Sequence, residues 1–319
     1  MLYFRFVFVL ALIFLTSCEK KSQNTLTLDV LTHDSILAEG GLGEVLKKEF
    51  EAQSSASLRL VSAGDAGQIL ARVQISSVQP HIVLGLDQTL WMQGKELLEG
   101  EFQPYDQGYL TWMVDTEWFQ KNNVELPEEL SDLLSPKLKR KLVLQDPRTS
   151  TPGLAFLILT HKVLGDGAKD FWKKLKKQWL TLTPGWDQAY GLFLKGQAAM
   201  VWSYQTSEAY HKKNGDEQGR YRAIFLKEGA ALQVEGAALV KKREWTHSER
   251  ELATQFFKIL ASNSVQEKIP LTQWMMPIKK DTLLPPEMAA LKEPTAKTDL
   301  TLQPEELKSL LKSWSQWIE

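Results

Sequence analysis

The chain has 319 residues, of which 43% are hydrophobic and 24% are charged, and its formal net charge at pH 7 is -1. This composition is typical of a globular protein, and the length suits two ordinary domains or one large bilobed domain. A nucleic-acid-binding protein would show a basic face and a high pI, so the near-neutral balance argues against that class.

The N-terminal segment indicates export. Residues 1–15 are apolar apart from Arg5 and lead into the sequence Leu15-Thr16-Ser17-Cys18. A short apolar segment that ends in small residues is typical of an export signal, and it is too short for an ordinary membrane span. Its end resembles a bacterial lipobox. We therefore expect a lipoprotein signal peptide at 1–17, lipid on Cys18 and a tether at 18–25; a cleaved soluble signal with an incidental cysteine is the alternative.

Strand and helix patterns alternate in the first third of the chain. The predicted strands cover residues 26–31, 58–61 and 81–87, and the predicted helices cover residues 44–53 and a stretch that ends near residue 75. Alternation of this kind predicts a parallel sheet with helices on both faces.

Polar residues follow the first two predicted strands. Asp34 and Ser35 come after the first strand, and Asp65 comes after the second. Ligands of open α/β sheets bind beyond the carboxyl ends of the strands, so these positions are candidate binding residues. Asp65 and Gln68 also form a capping-box pattern, so helix capping is an alternative or additional role for Asp65.

The stretch from Gln145 to Gly153 joins a buried strand at 142–144 to an apolar helix. Thr151 is the predicted N-cap of that helix, and Pro152 suits the first helical position. The backbone N–H groups from Gly153 onward would then form a ready anion site. The alternative is a well-capped junction without a ligand.

Two further predicted strands, at 180–183 and 199–203, also end in candidate residues. Trp186 is expected in the loop after the first of them, before a helix at 187–195, and residues 204–207 follow the second. Trp274 is expected in a later loop. Aromatic faces attract cations, so these rings favour a cationic ligand, although core packing is the alternative for each single ring. Position at the carboxyl ends of predicted strands is enough to place five of these residues together in one lobe: Ser150, Thr151, Trp186, Tyr204 and Ser207.

Four segments carry a resemblance to a known family. They are residues 145–153, 183–196, 202–211 and 269–277. Taken together and in this order, they resemble the periplasmic thiamine-binding proteins of ABC-type thiamine importers, which are bacterial extracellular solute-binding proteins. The similarity covers the chain from about residue 26 to its C-terminus.

The resemblance implies a type II periplasmic-binding-protein fold, in which two α/β lobes are joined by a two-crossover hinge. It places lobe I at 26–104 and 233–283, lobe II at 105–232, and a closing helical segment at 284–319. It also implies a periplasmic monomer that captures thiamine, thiamine monophosphate or thiamine diphosphate and delivers it to a membrane permease. No catalytic activity, metal, cofactor or nucleic-acid partner is expected.

The resemblance also implies a set of ligand-binding residues on both lobes. They are Asp34, Ser35, Asp65, Ala66, Ser150, Thr151, Trp186, Tyr204, Gln205, Thr206, Ser207 and Trp274. The chain departs from the family pattern in three places: His33 replaces an aromatic residue, Ala66 replaces a common glycine, and Glu208 replaces a proline. The insert between Trp91 and Phe102 is also shorter.

Other functions have weaker support in the sequence. The five histidines show no paired metal spacing, and the chain has neither a G-x-S-x-G elbow nor a P-loop. No Asp or Glu pair is singled out for glycoside hydrolysis, so an exported hydrolase is a minor alternative. A binding protein for a polyamine or iron(III) is the other alternative. Iron would require paired tyrosines, and a polyamine would require several carboxylates between aromatic rings.

Overall fold

The computed structural model describes residues 26–75, 79–241 and 244–319. The predicted signal peptide at 1–17, the lipidation site Cys18 and the tether at 18–25 therefore lie outside the described residues. Within the described ranges, no helix combines the length and the apolar character needed to cross a bilayer.

A single mixed sheet runs through the described part of the chain, in the order β2-β1-β3-β9-β4-β7-β5-β6. β8 and β10 pair with β4, and β11 pairs with β9. The strands are β1 (Thr27–Thr32), β2 (Ser57–Ser62), β3 (Ile82–Asp87), β4 (Leu98–Asp115), β5 (Leu142–Gln145), β6 (Trp179–Thr183), β7 (Met200–Tyr204), β8 (Tyr221–Ile224), β9 (Ala230–Val240), β10 (Met276–Pro277) and β11 (Lys297–Thr298).

Helices cover both faces of this sheet. They are α1 (Leu42–Gln53), α2 (Ile69–Ile75), α3 (Gln88–Gln93), α4 (Thr116–Lys121), α5 (Thr151–Leu164), α6 (Ala168–Leu175), α7 (Trp186–Leu194), α8 (Thr206–Lys213), α9 (His247–Leu260), α10 (Asn263–Gln266), α11 (Ile269–Thr272), α12 (Pro286–Ala289) and α13 (Pro304–Ile318). Short 3₁₀ helices include Asp34–Leu37, Ala66–Gln68 and Leu130–Leu134.

Lobe I is built on the parallel strands β1, β2 and β3. Leu42, Leu46 and Phe50 repeat at helical spacing on α1, and their side chains are fully buried against this sheet. Phe50 meets Phe256 of α9 edge-on, with ring centroids 6.3 Å apart. This apolar contact holds the two helices on one face of the lobe I sheet.

Lobe II is built on β5, β6 and β7, and its core is aromatic. The ring of Phe156 lies 5.5 Å from Trp112, 5.5 Å from Trp172 and 4.8 Å from Trp202. The first ten residues of α5 are all buried because this helix lies inside the lobe. The indole N–H of Trp202 donates to the carbonyl of Pro152 at 2.9 Å, which fixes the start of α5 against β7.

The long strands β4 and β9 join the lobes as an antiparallel pair. One end of β4 lies beside the part of β9 that pairs with β3, whereas its other end pairs with β7. The lobe limits expected near residues 104 and 232 fall inside these two strands. After β10, residues 278–285 cross from lobe I to lobe II. The helices that follow lie on lobe II, because α12 contacts α8 and α13 packs on α6.

Three local predictions are corrected. Ser150, not Thr151, is the N-cap of α5, and its hydroxyl makes no capping bond because it donates to Asp65 instead. Trp186 was expected in a loop but is the first residue of α7. The segment from Leu126 to Leu130, with a proline at its second position, also predicts a helix start from the sequence, but the first helical residue there is Leu130, which begins a 3₁₀ helix.

Candidate functional site

A cavity of about 360 Å³ lies between the two lobes, at the carboxyl ends of the parallel strands. Lobe I lines it with residues from the 33–41, 64–66 and 271–275 stretches. Lobe II lines it with the starts of α5, α7 and α8 and with the end of β7. This is the position at which open α/β sheets bind ligands.

The cavity brings together most of the residues that the sequence singled out. Its lining includes Asp34, Ser35, Asp65, Ala66, Thr151, Trp186, Tyr204, Thr206, Ser207 and Trp274. Ser150 and Gln205 do not line it. The hydroxyl of Ser150 lies just behind the wall and donates to Asp65, whereas the Gln205 amide donates to the carbonyl of Lys292, away from the cavity.

Trp186 forms the lobe II wall together with Tyr190. Their rings stack with centroids 4.7 Å apart and an interplanar angle of 18°. The indole N–H of Trp186 donates to the Ser203 hydroxyl at 2.9 Å, and that hydroxyl lies 3.0 Å from the hydroxyl of Ser207. These contacts fix the orientation of the indole, so it is a rigid surface for a flat ring.

Trp274 faces this wall from lobe I, and its backbone is strained. The residue has a φ of 55°, in the left-handed region that side chains disfavour. Its ring meets Tyr210 edge-on, with centroids 5.0 Å apart and planes at 89°. Strain of this kind persists only where surrounding contacts hold it, and it is common at ligand-binding positions.

Asp65 reaches across the cleft from lobe I. One carboxylate oxygen accepts from the backbone N–H of Gly67, which caps the 3₁₀ helix Ala66–Gln68. The other accepts from the backbone N–H of Trp186 at 2.9 Å and from the Ser150 hydroxyl at 3.2 Å. Burial raises the pKa of Asp65, although the donors and the nearby His33 act in the opposite direction.

Two glycines allow this close approach of the lobes. A Cβ on Gly67 would lie 2.4 Å from the carbonyl oxygen of Thr149, and a Cβ on Gly185 would lie 2.9 Å from a carboxylate oxygen of Asp65. Neither distance is compatible with an ordinary side chain. Both glycines therefore serve the contact between lobes.

Glu235 of β9 is a lining residue that sequence reasoning missed. Its carboxylate is 4% exposed and accepts from the Tyr105 hydroxyl at 2.9 Å and from the Gln233 amide at 3.0 Å. The same amide donates to the Tyr204 hydroxyl at 2.8 Å, and His33 lies on the other side of the carboxylate at 3.4 Å. Burial by itself would lower the pKa of His33, but the Glu235 carboxylate raises it above the ordinary value.

Three acidic residues lie side by side on the adjacent strands β3, β9 and β4. Asp87 of β3 and Asp106 of β4 both pair in register with Glu235 of β9. Burial and the neighbouring charges raise the pKa of Asp87 to about 7 and the pKa of Asp106 well above its usual range. Buried carboxyls that lie side by side oppose one another's ionisation, which is why the shifts of Asp87 and Asp106 are both upward.

Across the described ranges, no three His, Cys, Asp or Glu side chains come together in a way that would hold a metal ion. Two α/β lobes, joined by long strands and enclosing an aromatic cavity, define a bilobed solute-binding protein of type II.

Comparison with known proteins agrees with this class. The family model described as "Bacterial extracellular solute-binding protein" matches residues 89–298. The chain is similar to the thiamine-binding periplasmic proteins of Salmonella typhimurium (35% identity, covering 91% of this chain and 92% of that protein) and Escherichia coli (36%, 91% and 92%). A solved periplasmic thiamin binding protein superposes with a TM-score of 0.83, at 33% identity, covering 93% of this chain and 98% of that one.

The chain belongs to the bacterial extracellular solute-binding proteins. The resemblance drawn from its four sequence segments is therefore confirmed, and so is the predicted fold class. His33, which departs from the family pattern, fits this chain because residue 85 is a glycine. The imidazole lies against Gly85 of β3, where a Cβ would be 2.2 Å from the ring.

Proposed function

We propose that this protein is the periplasmic substrate-binding component of an ABC transporter, and that it captures thiamine in the interlobe cavity and delivers it to a membrane permease. The observation that carries the proposal is the cavity itself, in which aromatic side chains and carboxylates line the same space. It is supported by relatives that are named thiamine-binding and match over almost the whole chain. The role is binding without catalysis, by a monomer.

The chemistry of thiamine suits these walls. Thiamine has a cationic thiazolium ring and a flat aminopyrimidine, and aromatic faces attract both by stacking and cation–π contact. Trp186 and Trp274 offer such faces, and the buried ring of Tyr190 stacks behind Trp186. Asp34 and Asp187 lie at the exposed side of the same cavity and would accept from the exocyclic amine. Thiamine monophosphate and diphosphate share both rings and are part of the proposal.

Calorimetric titration of the purified protein tests the proposal. We expect saturable, equimolar binding of thiamine and no saturable binding of ferric iron. Spermidine is the informative competitor, because several carboxylates stand between aromatic rings in this cavity, as a polyamine site would require. Tight binding of spermidine without binding of thiamine would replace the proposed ligand by a polyamine.

We also propose that the protein is anchored to the membrane through lipid on Cys18, which follows the apolar N-terminal segment. The Cys18→Ser variant should leave the membrane fraction and appear in the soluble periplasmic fraction. Identical soluble fractionation of the variant and the unaltered protein would rule out the anchor and leave the binding function untouched.

A further inference from the structure

Two segments of lobe II carry a dense group of basic side chains. Residues 136–141 contain four lysines or arginines and no acid, and residues 169–177 contain five lysines and a single acid, Asp170. The formal net charge of the whole chain is only -1, so the positive charge is concentrated in these two segments rather than spread evenly along the sequence.

The fold places the two segments side by side. The backbone N–H of Lys141 donates to the carbonyl of Gln178 at 3.0 Å, and the Gln178 side-chain amide donates to the carbonyl of Leu134 at 3.2 Å. Phe171 and Leu175 are buried on the inner face of α6, which leaves its lysines on the outer face. We call the resulting surface the basic patch and define it by Lys139, Arg140, Lys141, Lys173, Lys174 and Lys177.

The basic patch has no acidic partner among the residues that the structure describes. None of its six cationic groups forms an ion pair there, whereas lysines elsewhere do, as Lys212 does with Glu208 at 2.6 Å. Five of the six side chains are exposed, and the ammonium group of Lys141 lies 5.7 Å from the ring centroid of Trp118. Like charges held close together repel one another, so an anionic partner would relieve this repulsion.

The basic patch and the cavity lie at opposite edges of the lobe II sheet. Lys141 directly precedes β5, and Lys177 lies two residues before β6. These are the amino ends of two parallel strands, whereas the cavity lies at their carboxyl ends, where Trp186 follows β6. A partner that covers the patch would therefore leave the cavity accessible.

Anionic lipid headgroups fit this surface. The charges end flexible side chains on the outer face of a helix and a neighbouring turn, so they can adapt to a fluid array of headgroups. Trp118 adds a partly exposed indole beside Lys141, and such rings are frequent at membrane–water interfaces. The proposed lipid on Cys18 would keep the domain near a bilayer, since the eight-residue tether at 18–25 could span at most about 29 Å.

We propose that the basic patch binds the anionic headgroups of the membrane and so holds lobe II against the bilayer surface. The contact is electrostatic and does not enter the hydrocarbon. Each lysine or arginine close to an anionic surface strengthens binding by about fivefold, so several together give a measurable affinity. No residue of the patch lines the cavity, and the proposal is therefore independent of the ligand.

The test measures vesicle binding by the protein without residues 1–18, which retains every described residue and carries no lipid. Vesicles with about 30% phosphatidylglycerol in phosphatidylcholine should bind the protein at least about tenfold more tightly in sedimentation than vesicles of phosphatidylcholine alone. Raising the salt concentration from about 0.05 to 0.5 M should remove most of this difference, because it shortens the range of the electrostatic attraction.

Two variants with the same change in net charge locate the contact. The patch variant combines Lys139→Gln, Arg140→Gln, Lys173→Gln and Lys177→Gln, and it should lose at least about tenfold in affinity for the phosphatidylglycerol vesicles.

The control variant changes four exposed lysines of lobe I and should lose less than about threefold. Its substitutions are Lys48→Gln, Lys95→Gln, Lys258→Gln and Lys268→Gln. Urea denaturation of both variants, with midpoints near that of the unaltered protein, shows that they are folded.

Three outcomes overturn the proposal. Equal binding to the two kinds of vesicle shows that anionic headgroups are not recognised. Equal losses in the patch and control variants show that net charge, and not this surface of lobe II, drives the binding. Binding to poly-glutamate without a preference for phosphatidylglycerol vesicles shows that the patch fits an acidic polypeptide instead. The titration with thiamine is a separate measurement, so each of these outcomes leaves the proposed function standing.

Discussion

The imidazole of His33 lies 3.4 Å from the carboxylate of Glu235, although 202 positions separate the two residues in the chain. His33 follows β1 in lobe I, and Glu235 lies on β9, which joins the lobes. The imidazole occupies the space above Gly85, whose φ of 86° lies in the left-handed region. Because Gly85 of β3 has no side chain, there is room for the His33 imidazole. The imidazole in turn connects a loop of lobe I to Glu235 of β9.

The first prediction concerns Gly85→Ala. A Cβ there would lie 2.2 Å from the His33 ring, and the left-handed backbone adds strain of about 1–2 kcal/mol. With the steric conflict included, we expect the free energy of unfolding to fall by roughly 2–4 kcal/mol, measured by urea denaturation.

A second substitution separates the two causes. In a His33→Ala background, Gly85→Ala should lower the free energy of unfolding only by the backbone strain, because the imidazole ring with which the Cβ would collide is absent. Gly167→Ala is the control, since its Cβ would meet only ordinary contacts at 3.9 Å. An equal cost of Gly85→Ala in both backgrounds would show that the ring does not occupy this space.

The second prediction concerns Asp87 and pH. Its folded pKa of about 7 lies above the ordinary carboxyl value, so the native state binds more protons than the unfolded state between about pH 4 and 7. Stability is therefore lost as pH rises through this window, by about 2–3 kcal/mol between pH 5 and pH 8. The raised pKa of His33 acts in the same direction, because the stability from that pair is also lost as pH rises.

The Asp87→Asn variant should remove much of this slope. Asparagine keeps the oxygen that caps α3 by accepting from Leu90, so the local structure is retained. Denaturation at a series of pH values should show that, above pH 7, the free energy of unfolding of the variant increases relative to that of the unaltered protein. Parallel pH profiles for the two proteins would contradict a raised pKa at Asp87.

The sequence predicted the site as far as local patterns reach. Trp186, Tyr204 and Ser207 could be placed together because each stands at or after the end of a strand, and the carboxyl ends of parallel strands share one edge of a sheet. The N-cap of α5 was misplaced by one residue because Ser150 and Thr151 are both good caps. A contact with Asp65, 85 positions away, takes the Ser150 hydroxyl.

Contacts across the strands that join the lobes could not be predicted in this way. Asp87, Asp106 and Glu235 become neighbours only through the register of β3, β9 and β4. Nothing in the local sequence around Gln205 indicates that its amide bonds to Lys292. The single available indication was the presence of an acid, Glu235, in the middle of a strand that is otherwise largely apolar.

The third prediction concerns closure of the lobes. Gly67→Ala places a methyl group 2.4 Å from the Thr149 carbonyl, so the lobes cannot approach as closely as they do here. We expect a larger radius of gyration in X-ray scattering with thiamine present and about a tenfold loss of thiamine affinity. Gly191→Ala is the matched control because a Cβ there would meet nothing within 4 Å apart from the backbone of its own helix and its chain neighbours. If Gly67→Ala binds and closes like that control, the contact at Thr149 does not limit closure.

The last prediction uses the unusual backbone of Trp274. Its φ of 55° predicts that glycine is tolerated better than alanine at this position, which reverses the usual order of the two residues. Trp274→Gly and Trp274→Ala both remove the indole and its edge contact with Tyr210, so both should weaken thiamine binding by about tenfold to a hundredfold. Only the alanine variant keeps the strained backbone.

The two variants therefore separate a backbone effect from a ligand effect. Trp274→Gly should be more stable than Trp274→Ala by about 1 kcal/mol in urea denaturation, while their affinities for thiamine remain equal. Equal stability would show that residue 274 is not left-handed in solution. Affinity equal to that of the unaltered protein, in variants that remain folded, would remove Trp274 from the wall of the cavity and leave Trp186, backed by Tyr190, as the surface on which the ligand stacks.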